Sequence, residues 1–269
     1  MRTDVHKRWH KAGATLLLGR RVACVLALSG LPLSPALLCP APLHAEPVAN
    51  PYHQWDASLD DGLNTIWEDT GVGANQHWSL SGFGGPNPAG PQRVAVSSTS
   101  NLTHAYQFDG VYDRGRAAAE NREGDHNATF ELWFRPAGIP TDTAWPIFEN
   151  GNEPRGLTVG LAGDLLVFVY AAGHDTHADV TYDLDVDDNG LDNLDFIHAV
   201  AVVDDANDEL RLYVDGSPPE TTAVGVENDY TSNNDWGLGR NNDNGGGQAD
   251  SPYDWGGSFA GEIAGLRED

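Results

Sequence analysis

Residues Asp185 to Gly190 read D-V-D-D-N-G, with side-chain oxygens at the first, third and fifth places and glycine at the sixth. This is how a calcium-binding loop opens: the hard cation takes oxygen ligands, and the glycine permits the sharp turn between them. An EF-hand is nevertheless excluded. Its twelfth place needs a bidentate glutamate, and Phe196 stands there; its eighth is usually apolar, and Asp192 stands there. The flanks also read as strands, with Tyr182 and Leu184 before the loop and Phe196 after it, so no helices frame it. The stretch therefore reads either as a calcium site at a loop rim, with Asp185, Asp187 and Asn189 as ligands, or as a solvated acidic turn.

A second chemistry is aromatic. Trp145, Trp236 and Trp255 stand in loop-like contexts (T-A-W-P, N-N-D-W-G and Y-D-W-G-G). An exposed indole presents an apolar face with a polar handle, which suits stacking on a sugar. Asn234 lies two residues before Trp236, and Asn233, Asn241 and Asn242 are close by in sequence. Trp145, Trp236, Trp255 and Asn234 are thus the candidate ligand-binding set. The competing reading makes each tryptophan a core plug at a strand end. The histidines offer less. His174 and His177 are three apart, but no further Cys or His cluster supports a zinc site, so they read as an exposed polar loop. His198 sits on a strand among alanines and valines and reads as a hydrogen-bonded structural histidine, not a base.

Charge narrows the partners. The 269 residues carry a formal net charge of −25. Both lysines and both cysteines (Lys7, Lys11, Cys24, Cys39) fall in the first 45 residues; beyond them stand nine arginines against thirty-nine acids, a net of −30. Such a surface repels nucleic acid and anionic lipid, which argues against both as partners. Abundant acid without lysine suits work in high salt, where screening removes the self-repulsion.

Residues 1–45 form a leader: a basic start (MRTDVHKRWHK), an apolar stretch at Val22–Leu38 and small residues ending at Ala45. This is the layout of a secretory signal peptide, and Pro32 and Pro35 argue against a spanning helix. The sequence therefore predicts an exported protein, at the cell surface, outside the cell or in a periplasm. No membrane insertion is expected once the signal is removed. Residues 46–104 read as an irregular lead-in with about three short strands packed on the domain that follows.

From Ala105 the strand signals sharpen. T-F-E-L-W-F-R-P alternates, with Phe130, Leu132 and Phe134 facing one way and Glu131, Trp133 and Arg135 the other. L-L-V-F-V-Y-A-A is apolar on both faces, as a strand covered on both sides should be. F-I-H-A-V-A-V-V-D-D and E-L-R-L-Y-V-D-G flank a tip and form a hairpin, with Leu210, Leu212 and Val214 pointing inward. Short strands between turn signals, with no amphipathic helix, predict an all-β antiparallel sandwich.

The order of these segments resembles the laminin-G-like branch of the concanavalin A-like lectin/glucanase superfamily. Y-Q-F-D-G (Tyr106–Gly110) is similar to its opening strand, A-T-F-E-L-W-F-R-P (Ala128–Pro136) to its thr-x-glu-x-trp strand, and Gly156–Phe168 to its central hairpin. Phe196–Gly216 is similar to its "W-x-H-V-A … L-Y-V-N-G" hairpin, with Phe196 where tryptophan is usual, and G-L-G-R and F-A-G-E-I-A-G-L to its closing strands. The resemblance spans residues 105–269 and implies a jelly-roll β-sandwich. Where the family continues past its last strand, this chain stops at Asp269, so a short final strand or a truncated sequence is expected.

The superfamily includes glycoside hydrolases whose retaining members resemble one another in placing glutamate, aspartate and glutamate at alternate positions of one strand, two carboxylates facing the sugar. Here Glu131 is followed on its own face by Trp133 and Arg135, and Glu262 by Ala264 and Leu266, so that pattern is missing. No catalytic residue is assigned. The resemblance implies a non-catalytic module that binds carbohydrate or an extracellular protein, with calcium as the one cofactor in view. A structural or adhesive domain of a larger surface protein is the alternative, and a hydrolase pairing acids from different strands the third reading.

Overall fold

Strand Ala128–Pro136 shows how the alternation folds. In a computed structural model of the chain, Phe130, Leu132 and Phe134 enter the core from one face. Glu131, Trp133 and Arg135 line the other. The structure describes residues 51–62, 65–73, 76–82, 90–118, 127–152, 155–173, 176–184, 195–225, 235–241 and 252–269. All lie in the unit Pro42–Asp269. The leader, Asp185, Asp187, Asn189 and Asn234 lie outside the described residues.

The strands are β1 (His53–Asp56), β2 (Ile66–Trp67), β3 (Trp78–Gly82), β4 (Gln92–Ala95), β5 (His104–Asp109), β6 (Asp113–Ala117), β7 (Ala128–Pro136) and β8 (Trp145–Asn152). They continue with β9 (Arg155–Ala162), β10 (Leu165–Gly173), β11 (Thr176–Asp183), β12 (Ile197–Asp204), β13 (Glu209–Val214), β14 (Glu220–Ala223), β15 (Trp236–Leu238) and β16 (Ala260–Glu268). No helix occurs among the described residues. The first sheet runs β14-β13-β12-β7-β16-β5-β4, with β1 also paired to β16. The second runs β11-β10-β9-β8-β15-β6-β3-β2. All named pairings are antiparallel, and one hydrophobic core fills the space between the sheets.

The lead-in supplies four strands, not three: β4 lacks an aromatic residue and pairs with β5 through its backbone. A buried histidine–aspartate pair anchors this part. His53 Nδ1 donates to Asp69 Oδ2 at 2.6 Å, and Asp69 also accepts the backbone N–H groups of Gln54, Gly71 and Gln76. Burial alone would raise the Asp69 pKa; the bonds from His53 and the backbone outweigh it and hold the carboxyl below its ordinary range. The stability this adds is present above the unfolded carboxyl pKa and is lost as pH falls through the lowered one.

β10 is buried on both faces, as its apolar run predicts. Leu166, Phe168 and Tyr170 join the main core, while Val167 and Val169 meet Ala144 and Trp255 on the outer face. The segment around Trp255 lies across that face, and Tyr253 donates to Asp179 Oδ2 at 3.1 Å to hold it there. Gly160 makes the close approach possible: a Cβ on it would stand 2.3 Å from the Trp255 ring.

β16 is nine residues long, so the final strand is not short. It also departs from simple alternation. Ile263 pairs with Phe134 and Gly265 with Trp133, which leaves Ala264 as the extra residue of a β-bulge. The expectation that Leu266 shares a face with Glu262 is thereby corrected. Leu266 packs in the main core with Ile263, and Arg267 takes the outer face.

At the start of β6, Asp113 is only 4% exposed, and Asp109 stands beside it. Burial, then the Asp109 charge, push its carboxyl up to about 6. The folded pKa lies above the unfolded one, so the folded state bears an uncompensated cost above pH 6 and gains stability as pH falls from there toward 4. Asp113→Asn keeps an acceptor for the Asp109 N–H and is expected to stabilise the protein by roughly 1–3 kcal/mol at pH 7.5. It should also flatten the pH dependence between 4 and 7. Urea midpoints across that range check both outcomes.

Candidate functional site

The three predicted tryptophans do not form one exposed set. Trp236 is completely buried, its ring packed among His53, Trp55, Trp78 and Phe148 at centroid distances of 5.9 to 6.3 Å. It sits on a three-residue strand between β6 and β8, and no face of the ring is open to stack on a sugar. This corrects the reading of N-N-D-W-G as an exposed loop. Trp255 is 4% exposed and closes over Gly160. Trp145 is half-buried against the main core, and its ring lies beside Gly257, two residues on from Trp255. Trp145 and Trp255 thus come from neighbouring segments but pack against different clusters, Trp255 on the outer face of the second sheet and Trp145 against the main core that also holds Trp236. Among the described residues no group of three or more His, Cys, Asp or Glu is placed to hold a metal ion.

The outer face of the first sheet carries a different constellation, built on β12, β7 and β16. Trp133 on β7 is flanked by strand neighbours on both sides. The His198 ring stacks on it at 4.5 Å and 9°, and the Arg267 guanidinium stands 4.8 Å from its centroid. Glu131 lies beneath, 2% exposed, and accepts a hydrogen bond from Arg267 Nη1 at 3.3 Å. His198 Nε2 is 3.6 Å from the same carboxylate and makes no hydrogen bond to it, so His198 is placed by stacking and not by the hydrogen bond expected of it. One strand position along, Arg135 pairs with Glu262 and lies 4.8 Å over Phe196.

Beside Trp133 the surface opens into a cavity of about 240 Å³. Its lining comes from four segments: Trp55 and Asp56 of β1, Ser100 and Leu102 before β5, Trp133 of β7, and Ala264, Gly265 and Arg267 of β16. The topology explains its position. β5 pairs with β16 up to Ile263 and β1 takes over from Gly265, on the same side of the strand. The bulge falls at this junction. Gly265 keeps the floor low, since a Cβ there would stand 3.2 Å from the Trp133 ring.

The cavity has an aromatic wall, an apolar floor and polar groups with capacity to spare. A guanidinium has five N–H donors, and Arg267 makes one hydrogen bond, to Glu131, among the described residues. Asp56 Oδ1 accepts the Ser58 N–H at 2.8 Å, while Oδ2 has no partner among the described residues. Ser100 bonds through its backbone, not its hydroxyl, among those residues. Asp56 is the one carboxylate among the lining residues, so the two-acid geometry of glycoside hydrolysis is not present in this lining. The chemistry on offer is recognition: apolar contact with the edge of the Trp133 ring, whose faces His198 and Arg267 cover, charge-assisted hydrogen bonds and exclusion of water. Sequence reading placed Trp133 on the outer face but singled out neither it nor Arg267. The available signal was a tryptophan between Glu131 and Arg135 on the polar face of an alternating strand.

A search of curated proteins finds no match to the chain. Among solved structures, domain 4 of AbnA, a GH43 extracellular arabinanase from Geobacillus stearothermophilus in complex with arabinotriose, is similar at 14% identity and a TM-score of 0.53, with 81% of this chain and 91% of that one covered. The binding domain of botulinum neurotoxin DC is similar in complex with SialylT (10% identity, TM-score 0.59, 81% and 47% covered). It is similar again in complex with rat synaptotagmin II (11% identity, TM-score 0.58, 81% and 48% covered). The chain spans about half the length of the neurotoxin binding domains it matches. At these identities the likeness shows the fold, a jelly-roll sandwich. The family model for the concanavalin A-like lectin/glucanases superfamily matches residues 109–265, more than half of the chain, over the same strands that carry the Trp133 face, and the chain belongs to that superfamily.

Proposed function

We propose that the chain is an exported, non-catalytic binding module that recognises carbohydrate or an extracellular protein, with carbohydrate as the ligand its geometry suits best. One observation carries this: the cavity beside Trp133 combines an aromatic wall with unused donors and acceptors but has a single carboxylate in its lining. Sugar recognition needs the first two, and hydrolysis by the two-acid route needs a second acid. The neighbours named above support the reading, being domains solved in complex with arabinotriose, SialylT and rat synaptotagmin II. Export rests on the leader at residues 1–45; among the described residues no helix is long and apolar enough to cross a membrane. Calcium assistance rests on the oxygen pattern of Asp185, Asp187 and Asn189.

Glycan arrays and pull-downs on insoluble polysaccharide, in molar salt with calcium or with EDTA, test the reading. Retention on at least one neutral glycan is expected, weaker in EDTA and accompanied by a calcium-dependent rise in melting temperature. Retention on no glycan under either condition would overturn the carbohydrate reading. A melting temperature that calcium and EDTA leave unchanged would remove the metal from it.

A further inference from the structure

Resting on the carbohydrate reading above, we infer that the cavity takes one neutral sugar ring with adjacent hydroxyls. Size is the first argument. Pockets for drug-sized ligands run from about 300 to 1,000 Å³. The 240 Å³ here falls below that range and matches a single ring. The cavity is also walled on both sides of its floor strand. Trp133 rises from β7 on one side of β16, and Asp56 and Leu102 come from segments on the other.

The second argument is the pairing of polar groups. Each sugar hydroxyl both donates and accepts. Arg267 supplies donors alone, and the free Asp56 oxygen accepts alone, so together they match two neighbouring hydroxyls. Ser100 adds a hydroxyl of either sense. Trp133, Leu102 and Ala264 supply the apolar surface against which the C–H face of a ring packs.

Charge decides for a neutral ring. The Arg267 guanidinium already faces the buried Glu131 carboxylate, so its positive charge is largely compensated before any ligand arrives. A ligand carboxylate would then meet Asp56 in a chain of net charge −25. Like charges in so small a space repel, and an acidic sugar is rejected.

The test uses the full chain and calorimetric or saturation-transfer titration. The probes are methyl glycosides of glucose, galactose, mannose, xylose and arabinose, with glucuronic and sialic acid for comparison. At least one neutral glycoside is expected to bind, with acidic sugars at least about tenfold weaker. Ser100→Trp, on an exposed turn, fills the mouth without touching the core, and Asp56→Asn removes the anionic acceptor. Each should weaken binding at least about tenfold at an unchanged unfolding midpoint, while Val111→Ser on the distant β5–β6 turn leaves it intact.

Neutral-sugar binding that Ser100→Trp leaves untouched would place the site elsewhere and overturn the inference while the carbohydrate reading stands. Preference for acidic sugars would do the same, as would binding of oligosaccharides without any monosaccharide. Failure of every glycan to bind would overturn both.

Discussion

Arg267→Ala is expected to destabilise the folded chain by roughly 3–5 kcal/mol, the cost of leaving a buried charge without its partner. Glu131 is almost wholly enclosed, and Arg267 is its hydrogen-bonded cation. His198 does not replace it: the imidazole stacks on Trp133, and its Nε2 is too far from the carboxylate for a hydrogen bond. The guanidinium also packs on Trp133, so the alanine removes apolar contact as well as charge. The double change Glu131→Leu with Arg267→Leu removes both charges together and should recover most of the loss, because desolvation of the pair is then avoided. Denaturant midpoints of the two variants separate these terms. A loss under about 1 kcal/mol for Arg267→Ala would mean that the pair behaves as an exposed surface bridge, with Glu131 reached by water.

Trp236→Ala should cost as much, roughly 3–5 kcal/mol, for a different reason: it removes a fully buried indole from the aromatic cluster between the sheets and leaves a cavity. Trp236→Phe keeps most of the volume and should cost less, about 1–2 kcal/mol. Ligand affinity of the phenylalanine variant is expected to match that of the natural chain, since Trp236 does not line the cavity beside Trp133. Unfolding midpoints paired with binding isotherms check this. Lost binding in a stably folded Trp236→Phe protein would return that indole to the ligand site.

Strand identities were legible wherever one face is buried and the other wet. In β7 and β13 the period-two pattern placed Phe130, Leu132, Leu210 and Leu212 inward, and the structure agrees. Two features were not legible, and for related reasons. The bulge at Ala264 depends on how β16 registers against β7, which single-strand alternation does not encode; with it, Leu266 turns into the core and Arg267 meets Trp133. Trp236 looks solvated among Asn233, Asn234 and Asp235 because a three-residue strand is too short to show a period. Its burial comes from β6 and β8 closing on either side.

The candidate site fared likewise. Trp133 was assigned its face correctly, yet the cavity needs residues near positions 55, 100, 133 and 265, which only the sandwich topology brings together. The buried Glu131 looked like an exposed acid on a polar face, and its enclosure follows from the stacked His198, Trp133 and Arg267 above it. The oxygen pattern at Asp185, Asp187 and Asn189 lies outside the described residues.

Chemical-shift mapping of the labelled chain with a glycan that the array selects tests the Trp133 cavity most directly as the recognition surface. The expected result is a compact set of perturbations: the Trp133 indole N–H, the amides of Ser100, Leu102, Ala264 and Gly265, and the Arg267 side chain. Shifts gathered instead at Trp145 and Trp255, with Trp133 silent, would contradict it and move recognition to the segment around Trp255.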